Sequence, residues 1–135
     1  MKKLISIIFL LAGLAAYAYD PALNETEKLY REAEKLTIEY IASFKTLRTL
    51  SAKDITQKQR EDIDTIIAHS EKSLKSHQAS LRTLKKLMNE YDSLSDGERS
   101  AALNDALTKN ESLEVLINSL QNAIQLNKAA IESYQ

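Results

Sequence analysis

The residues of this chain best suited to chemistry are two histidines, His69 and His77, and their spacing argues against the usual uses. Eight residues of helix span about 12 Å at ~1.5 Å per residue, too far for one metal ion to take both. A di-iron site in a helical bundle places a glutamate three residues before each ligating histidine. Those two positions hold Ile66 and Leu74. The 135 residues contain no cysteine, which removes thiolate nucleophiles, thiolate metal sites and disulfides. The sequence carries no glycine-rich phosphate loop, no G-x-S-x-G and no H-E-x-x-H. Its glutamates stand one helical turn from cations, as Glu27 does from Arg31 and Glu71 from Lys75, the ordinary pattern of a solvated helix face. This inventory predicts no enzyme, no cofactor, no metal and no small-molecule substrate, so the expected mode of action is contact with protein.

The remaining polar residues of interest interrupt apolar seams. Ile63, Ile67, Ser70, Leu74, His77, Leu81, Leu84, Met88 and Tyr91 follow one another in alternating steps of four and three. A second seam runs Leu103, Ala106, Asn110, Leu113, Ile117, Leu120, Ile124, Asn127, Ile131, Tyr134. Such heptad spacing is the signature of knobs-into-holes packing, and a lone polar residue within it sets register more often than it carries chemistry. Ser70, His77, Asn110 and Asn127 are therefore read as a structural polar core. Buried in such a seam, His77 would loosen the bundle on protonation below roughly pH 6.

The elements that position these residues are all helical. Two glycines and one proline are too few for a β-rich fold. The chain opens with Met1-Lys2-Lys3, continues through the apolar stretch Leu4 to Ala15 and reaches Ala16-Tyr17-Ala18. These are the three regions of a secretory signal peptide, with cleavage expected between Ala18 and Tyr19. From Leu4 to Ala18 a helix covers about 22 Å at ~1.5 Å per residue, short of a ~30 Å hydrocarbon core, so no stable membrane insertion is expected after cleavage. Residues 1–18 are thus the signal and 19–135 a single domain, exported to the periplasm, cell surface or medium of a bacterium. Loss of Lys2 and Lys3 would take the net charge from −1 to about −3, against nucleic acid as a partner.

Within 19–135 the pattern predicts helices at about 21–50, 55–93 and 97–134. Asp20 would cap the first, with Pro21 at its first position. Ser95 and Glu98 would close a capping box on the third. The architecture expected is an antiparallel hairpin of two long helices with a shorter N-terminal helix, a coiled-coil-like three-helix bundle. Lys72, Lys75, Arg82, Lys85 and Lys86 cluster on the second helix. Facing positions summing to about 190 would set Lys85 near Asp105 and Lys75 near Glu114. The same arithmetic about a first turn near residue 53 gives sums of about 106, so that Ala22 reaches only Leu84. The hairpin end would then project as an apolar tip carrying Leu87, Met88, Tyr91, Leu94, Leu103 and Leu107, open to a partner, to a second copy or to plain packing of the two helices.

Two family resemblances follow from these residues. Ile55-Thr56-Gln57-Lys58-Gln59-Arg60 resembles the L-T-x-x-Q motif of the periplasmic stress proteins Spy and CpxP, and Leu94-Ser95-Asp96-Gly97-Glu98-Arg99 is a looser second copy. The resemblance implies an ATP-independent helical chaperone or envelope-stress modulator. It departs from that family in having Met88 as the sole methionine after the signal. The whole plan, with its Met-Lys-Lys start, lack of cysteine and leucine-rich hairpin, is also similar to the FadA-type helical adhesins of fusobacteria. That resemblance implies a surface or secreted adhesin that self-associates through its helices.

Overall fold

The structure, a computed structural model, describes the backbone of residues 2–134 and the side chains of residues 21–134. It is a three-helix bundle: α1 (Lys2–Arg48), α2 (Gln57–Asn89) and α3 (Asp96–Ser133), with a single 3-10 turn at Tyr91–Ser93. The helix expected to begin at Pro21 is longer in the whole chain, running from Lys2 with Pro21 inside it. The expected cap Asp20 and the cleavage residues Ala18 and Tyr19 lie outside the residues whose side chains are described. At the other end α2 stops at Asn89, short of Ser93, because the chain tightens into the 3-10 turn that tucks Tyr91 inward.

Both inter-helix corners are built alike. Thr56 accepts from the Gln59 N–H at 3.1 Å and the Gln59 side chain accepts from the Thr56 N–H at 2.8 Å. Ser95 and Glu98 repeat the reciprocal pair at 3.2 and 3.3 Å. Each box satisfies two N–H groups that a helix start leaves without an intrahelical partner. The next residue in each case is an arginine that reaches back to the end of the preceding helix. Arg60 donates to the carbonyls of Arg48 and Leu50; Arg99 donates to those of Tyr91 and Asp92. Just before each cap stands an apolar residue, buried Ile55 or half-buried Leu94. The pattern [IL]-[ST]-x-x-[QE]-R is therefore a corner motif used twice.

Helix α1 packs closely on both α3 and α2, whereas α2 and α3 make no comparable backbone approach to one another. Thr26 meets Asn110, and Ser43 meets Asn127, so α1 and α3 run parallel. Arg48 meets Asp64, Lys45 meets Glu71 and Glu34 meets Gln78, so α2 runs antiparallel to α1. The first and last of these α1–α2 pairs sum to 112, not the 106 of the sequence arithmetic. The connection at residues 49–56 is not a tight turn; it descends beside the first turns of α2, held there by Arg60. As a result Ala22 comes level with Glu90, well above Leu84.

The close approach of α1 to α3 has a local cause. Thr26, Ala33, Thr37 and Ser43 are small and buried. The Thr26 and Thr37 hydroxyls donate to the carbonyls of Ala22 and Ala33 one turn back, at 2.9 and 2.6 Å, which lets a polar side chain sit in the core without an unmet hydrogen bond. Around them the core gathers Leu23, Leu29, Tyr30 and Leu36 of α1 with Leu81 and Leu84 of α2. Ala106, Leu113, Ile117, Leu120 and Ile124 complete it from α3.

Candidate functional site: a groove between α2 and α3

The hairpin end does not project as a bare apolar tip. Tyr91 is buried in the core cluster, with Leu87, Met88 and Leu94 packed against it. Leu103 is half-buried, and only Leu107 of the six tip residues is exposed. The longer reach of α1 is the reason, since Ala22 and Leu23 belong to the same cluster. The Arg99 guanidinium lies 5.3 Å from the centre of the Tyr91 ring, a cation–π contact at the hairpin's end.

The charge pairs expected between α2 and α3 are replaced by others. Among the described residues Asp105 takes Lys109 on its own helix at 3.0 Å, and Glu71 takes Lys45 of α1 at 3.9 Å. Lys75 and Lys85 face solvent. With α1 between them, α2 and α3 stand too far apart for flanking side chains to meet.

What separates them is a groove floored by α1 and divided into two cavities. The upper, of about 290 Å³, has Leu23, Thr26 and Tyr30 as its floor, Ser76, Ser80 and Thr83 on one wall, and Ala102, Asp105 and Lys109 on the other. The lower, of about 410 Å³, lies over Thr37 and Tyr40, between His69, Ser70, Ser73 and His77 of α2 and Leu116, Ser119 and Ala123 of α3. Half of the wall residues are serine or alanine, and leucines (Leu84, Leu87, Leu116 and Leu120) supply most of the apolar lining. Tyr30 of the upper cavity and His77 of the lower form the partition, their rings tilted by 55° with centres 6.0 Å apart.

The four seam residues have different surroundings. Ser70 is buried against the lower cavity, and His77 is half-buried in its wall. Burial pushes the His77 imidazolium below its ordinary pKa of 6.5 and the Tyr40 phenol above its ordinary value, because both charged forms lose hydration. Asn127 is buried and donates to the Ser43 hydroxyl at 2.9 Å. Asn110 donates to the Ala22 carbonyl at 3.3 Å, and its Oδ1, 2.5 Å from Thr26 Oγ1, shares with that carbonyl the single proton of the Thr26 hydroxyl.

Chemically the groove offers hydroxyls on floor and walls, two imidazoles, one ion pair and leucine side chains. Among the described residues no three histidine or carboxylate side chains gather as a metal site, and no helix is long and apolar enough to cross a membrane. Sequence reasoning missed the groove. On α1 the apolar residues alone suggest a stripe through Leu29, Ala33, Leu36, Tyr40, Leu47 and Leu50, widened by Ile41 and Phe44. The groove floor follows a neighbouring seam, Leu23, Thr26, Tyr30, Ala33, Thr37, Tyr40, Phe44 and Leu47, in alternating steps of three and four. That regular spacing was the available signal; its threonines hid it from a search for apolar residues.

No protein-family model matches the chain, and neither a curated protein nor a solved structure matches it.

Proposed function

We propose that this chain is an exported contact protein of the adhesin-like kind, which binds a helical segment of another protein in the groove between α2 and α3. The observation that carries this reading is the pair of cavities in one open groove. Thr26 in the upper floor and Thr37 in the lower are eleven residues apart, about 17 Å at ~1.5 Å per residue. Residues i and i+11 of a partner helix fall on one face after three turns, so one amphipathic helix would seat a side chain in each cavity. The serines and alanines that make up half of the walls favour that occupant, since small residues admit a helix backbone closely. Export is supported by Met1-Lys2-Lys3, the apolar run after it and Ala16-Tyr17-Ala18.

The test fills the groove. Ser80→Leu with Ser119→Leu should abolish adherence of the purified protein to cell surfaces while leaving the circular dichroism of the bundle intact. Unchanged adherence by the filled variant rejects the groove. N-terminal sequencing of the protein recovered outside the cytoplasm should begin at Tyr19.

A chaperone of the Spy and CpxP type is the second reading, favoured by the two corner motifs and by a groove that mixes hydroxyls with leucine side chains. Near-stoichiometric suppression of aggregation of an unfolded client, without adherence, would select it.

A further inference from the structure

The two cavities of the groove differ in how their polar side chains are engaged. In the upper one the Thr26 hydroxyl lies between the Ala22 carbonyl and Asn110, Thr83 donates to the Ala79 carbonyl, and Asp105 pairs with Lys109. The lower one is lined by His69, Ser70, Ser73 and His77 of α2, Tyr40 of α1 and Ser119 of α3. Among the described residues none of these six side chains has a hydrogen bond to the protein. Ser70 is the sharpest case, a hydroxyl on the cavity wall in a residue only 7% exposed. A buried hydroxyl ordinarily has a partner, and here the cavity is where one can be offered.

The six groups select the class of ligand. Hydroxyl, phenol and imidazole can all donate a hydrogen bond, and no carboxylate lines the cavity. The two imidazoles can become cationic. The one lining group that could become anionic, the Tyr40 phenol, is held protonated by burial, which raises its pKa. Such a wall gives a cation no ligand and receives acceptor oxygens. It also contains no lysine or arginine, the fixed cations that a phosphate dianion normally calls for, so the anion it suits is singly charged. From this we infer that the lower cavity is a carboxylate site, occupied in the complex by a glutamate or aspartate side chain of the partner helix. The source of that carboxylate rests on the groove reading above; the chemistry of the site does not.

The surroundings make the site pH-dependent. Of the elements packed against His77, α1 turns Tyr30 and Tyr40 towards it. The facing wall of α3 is uncharged, since no charged residue occurs from Val115 to Asn127. Glu34 of α1 takes a hydrogen bond of 3.4 Å from Gln78, and on α2 Lys72 stands one turn from His69. Burial with no carboxylate beside it is what lowers the His77 pKa. A bound carboxylate supplies that counter-charge, so proton and carboxylate each bind more tightly in the presence of the other.

Propionate, which ends as a glutamate side chain does, is the probe. Added to the protein purified as the host processes it, propionate should shift the ring resonances of His69 and His77, with a dissociation constant of about 10 mM at about pH 5.5. At about pH 8 its binding should be roughly ten-fold weaker. Propionamide or sodium chloride at the same concentration should leave both rings in place. Ser70→Ala should weaken propionate about ten-fold. His69→Gln with His77→Gln should remove the pH dependence, read on the propionate resonances, with the circular dichroism of the bundle unchanged. At about pH 5.5, about 100 mM propionate should also compete with adherence, and propionamide should not. No histidine shift up to about 100 mM propionate, equal binding of propionamide, or tighter binding of inorganic phosphate overturns the carboxylate site, whatever filling the groove does to adherence. Propionate that binds but leaves adherence intact overturns the partner side chain as occupant in favour of a free carboxylate. If the protein does not adhere at all, the groove reading fails and the histidine shifts alone decide the site.

Discussion

Asn127 of α3 donates a hydrogen bond of 2.9 Å to the Ser43 hydroxyl of α1, and both residues are buried. Their numbers differ by 84, as do those of Thr26 and Asn110 higher in the bundle. Two polar pairs with one common offset fix the parallel register of α1 on α3, because a slide by one heptad breaks both at once. Ser43 in turn donates to the Tyr40 carbonyl at 2.7 Å, so its hydrogen is already committed and its lone pairs face the amide.

The coupling between Asn127 and Ser43 should be measurable. A double-mutant cycle with Asn127→Ala and Ser43→Ala, followed by urea unfolding, is expected to give an interaction energy of about 0.5–1.5 kcal/mol. Strict additivity would mean that the bond contributes nothing to register.

Ala33 is fully buried on α1. Ala33→Leu adds three carbons where the packing has no room, and should destabilise by about 1–3 kcal/mol as the helices are forced apart. Chemical denaturation reads this directly; a stabilised variant would reveal a void that the packing does not contain.

Each corner motif should behave as a cap. Thr56→Ala and Ser95→Ala are each expected to lower stability by about 1 kcal/mol, with little change in denaturant sensitivity. Arg60→Ala should additionally loosen the 49–56 connection, seen as faster amide exchange at Ile55 than in wild type. If Thr56→Ala instead leaves stability untouched and removes client protection, the motif serves recognition and not helix capping.

The pH response follows from His77. Its folded pKa lies below the ordinary 6.5 because burial disfavours the imidazolium, so the unfolded chain binds the proton more readily than the folded one. The contribution of neutral His77 is fully present above about pH 6.5 and is lost as pH falls through the lower folded value. Melting temperature should therefore drop between pH 7 and 5 in wild type, and His77→Leu should flatten that part of the curve. A curve that the substitution leaves unchanged would falsify the assignment.

Much of the fold is legible in the residues themselves. Heptad spacing over Ile63–Tyr91 and Leu103–Tyr134, few breakers and the box at Ser95 and Glu98 suffice for helices in an all-α bundle. Periodicity and capping are local properties, set within a turn or two of chain, and so survive translation from sequence to structure.

Three features were decided only by tertiary packing. The reach of α1 over the hairpin end depends on how residues 49–56 descend beside α2, a path set by Arg60 and not by loop length. The choice of α1 as the shared partner of both other helices depends on Thr26, Ala33, Thr37 and Ser43, whose small volumes matter only once α3 is laid against them. The groove between α2 and α3 is a consequence of that choice: seams fix which face a helix buries, but not which of two neighbours it is buried against, and that is settled by whichever pair of surfaces allows the closer approach.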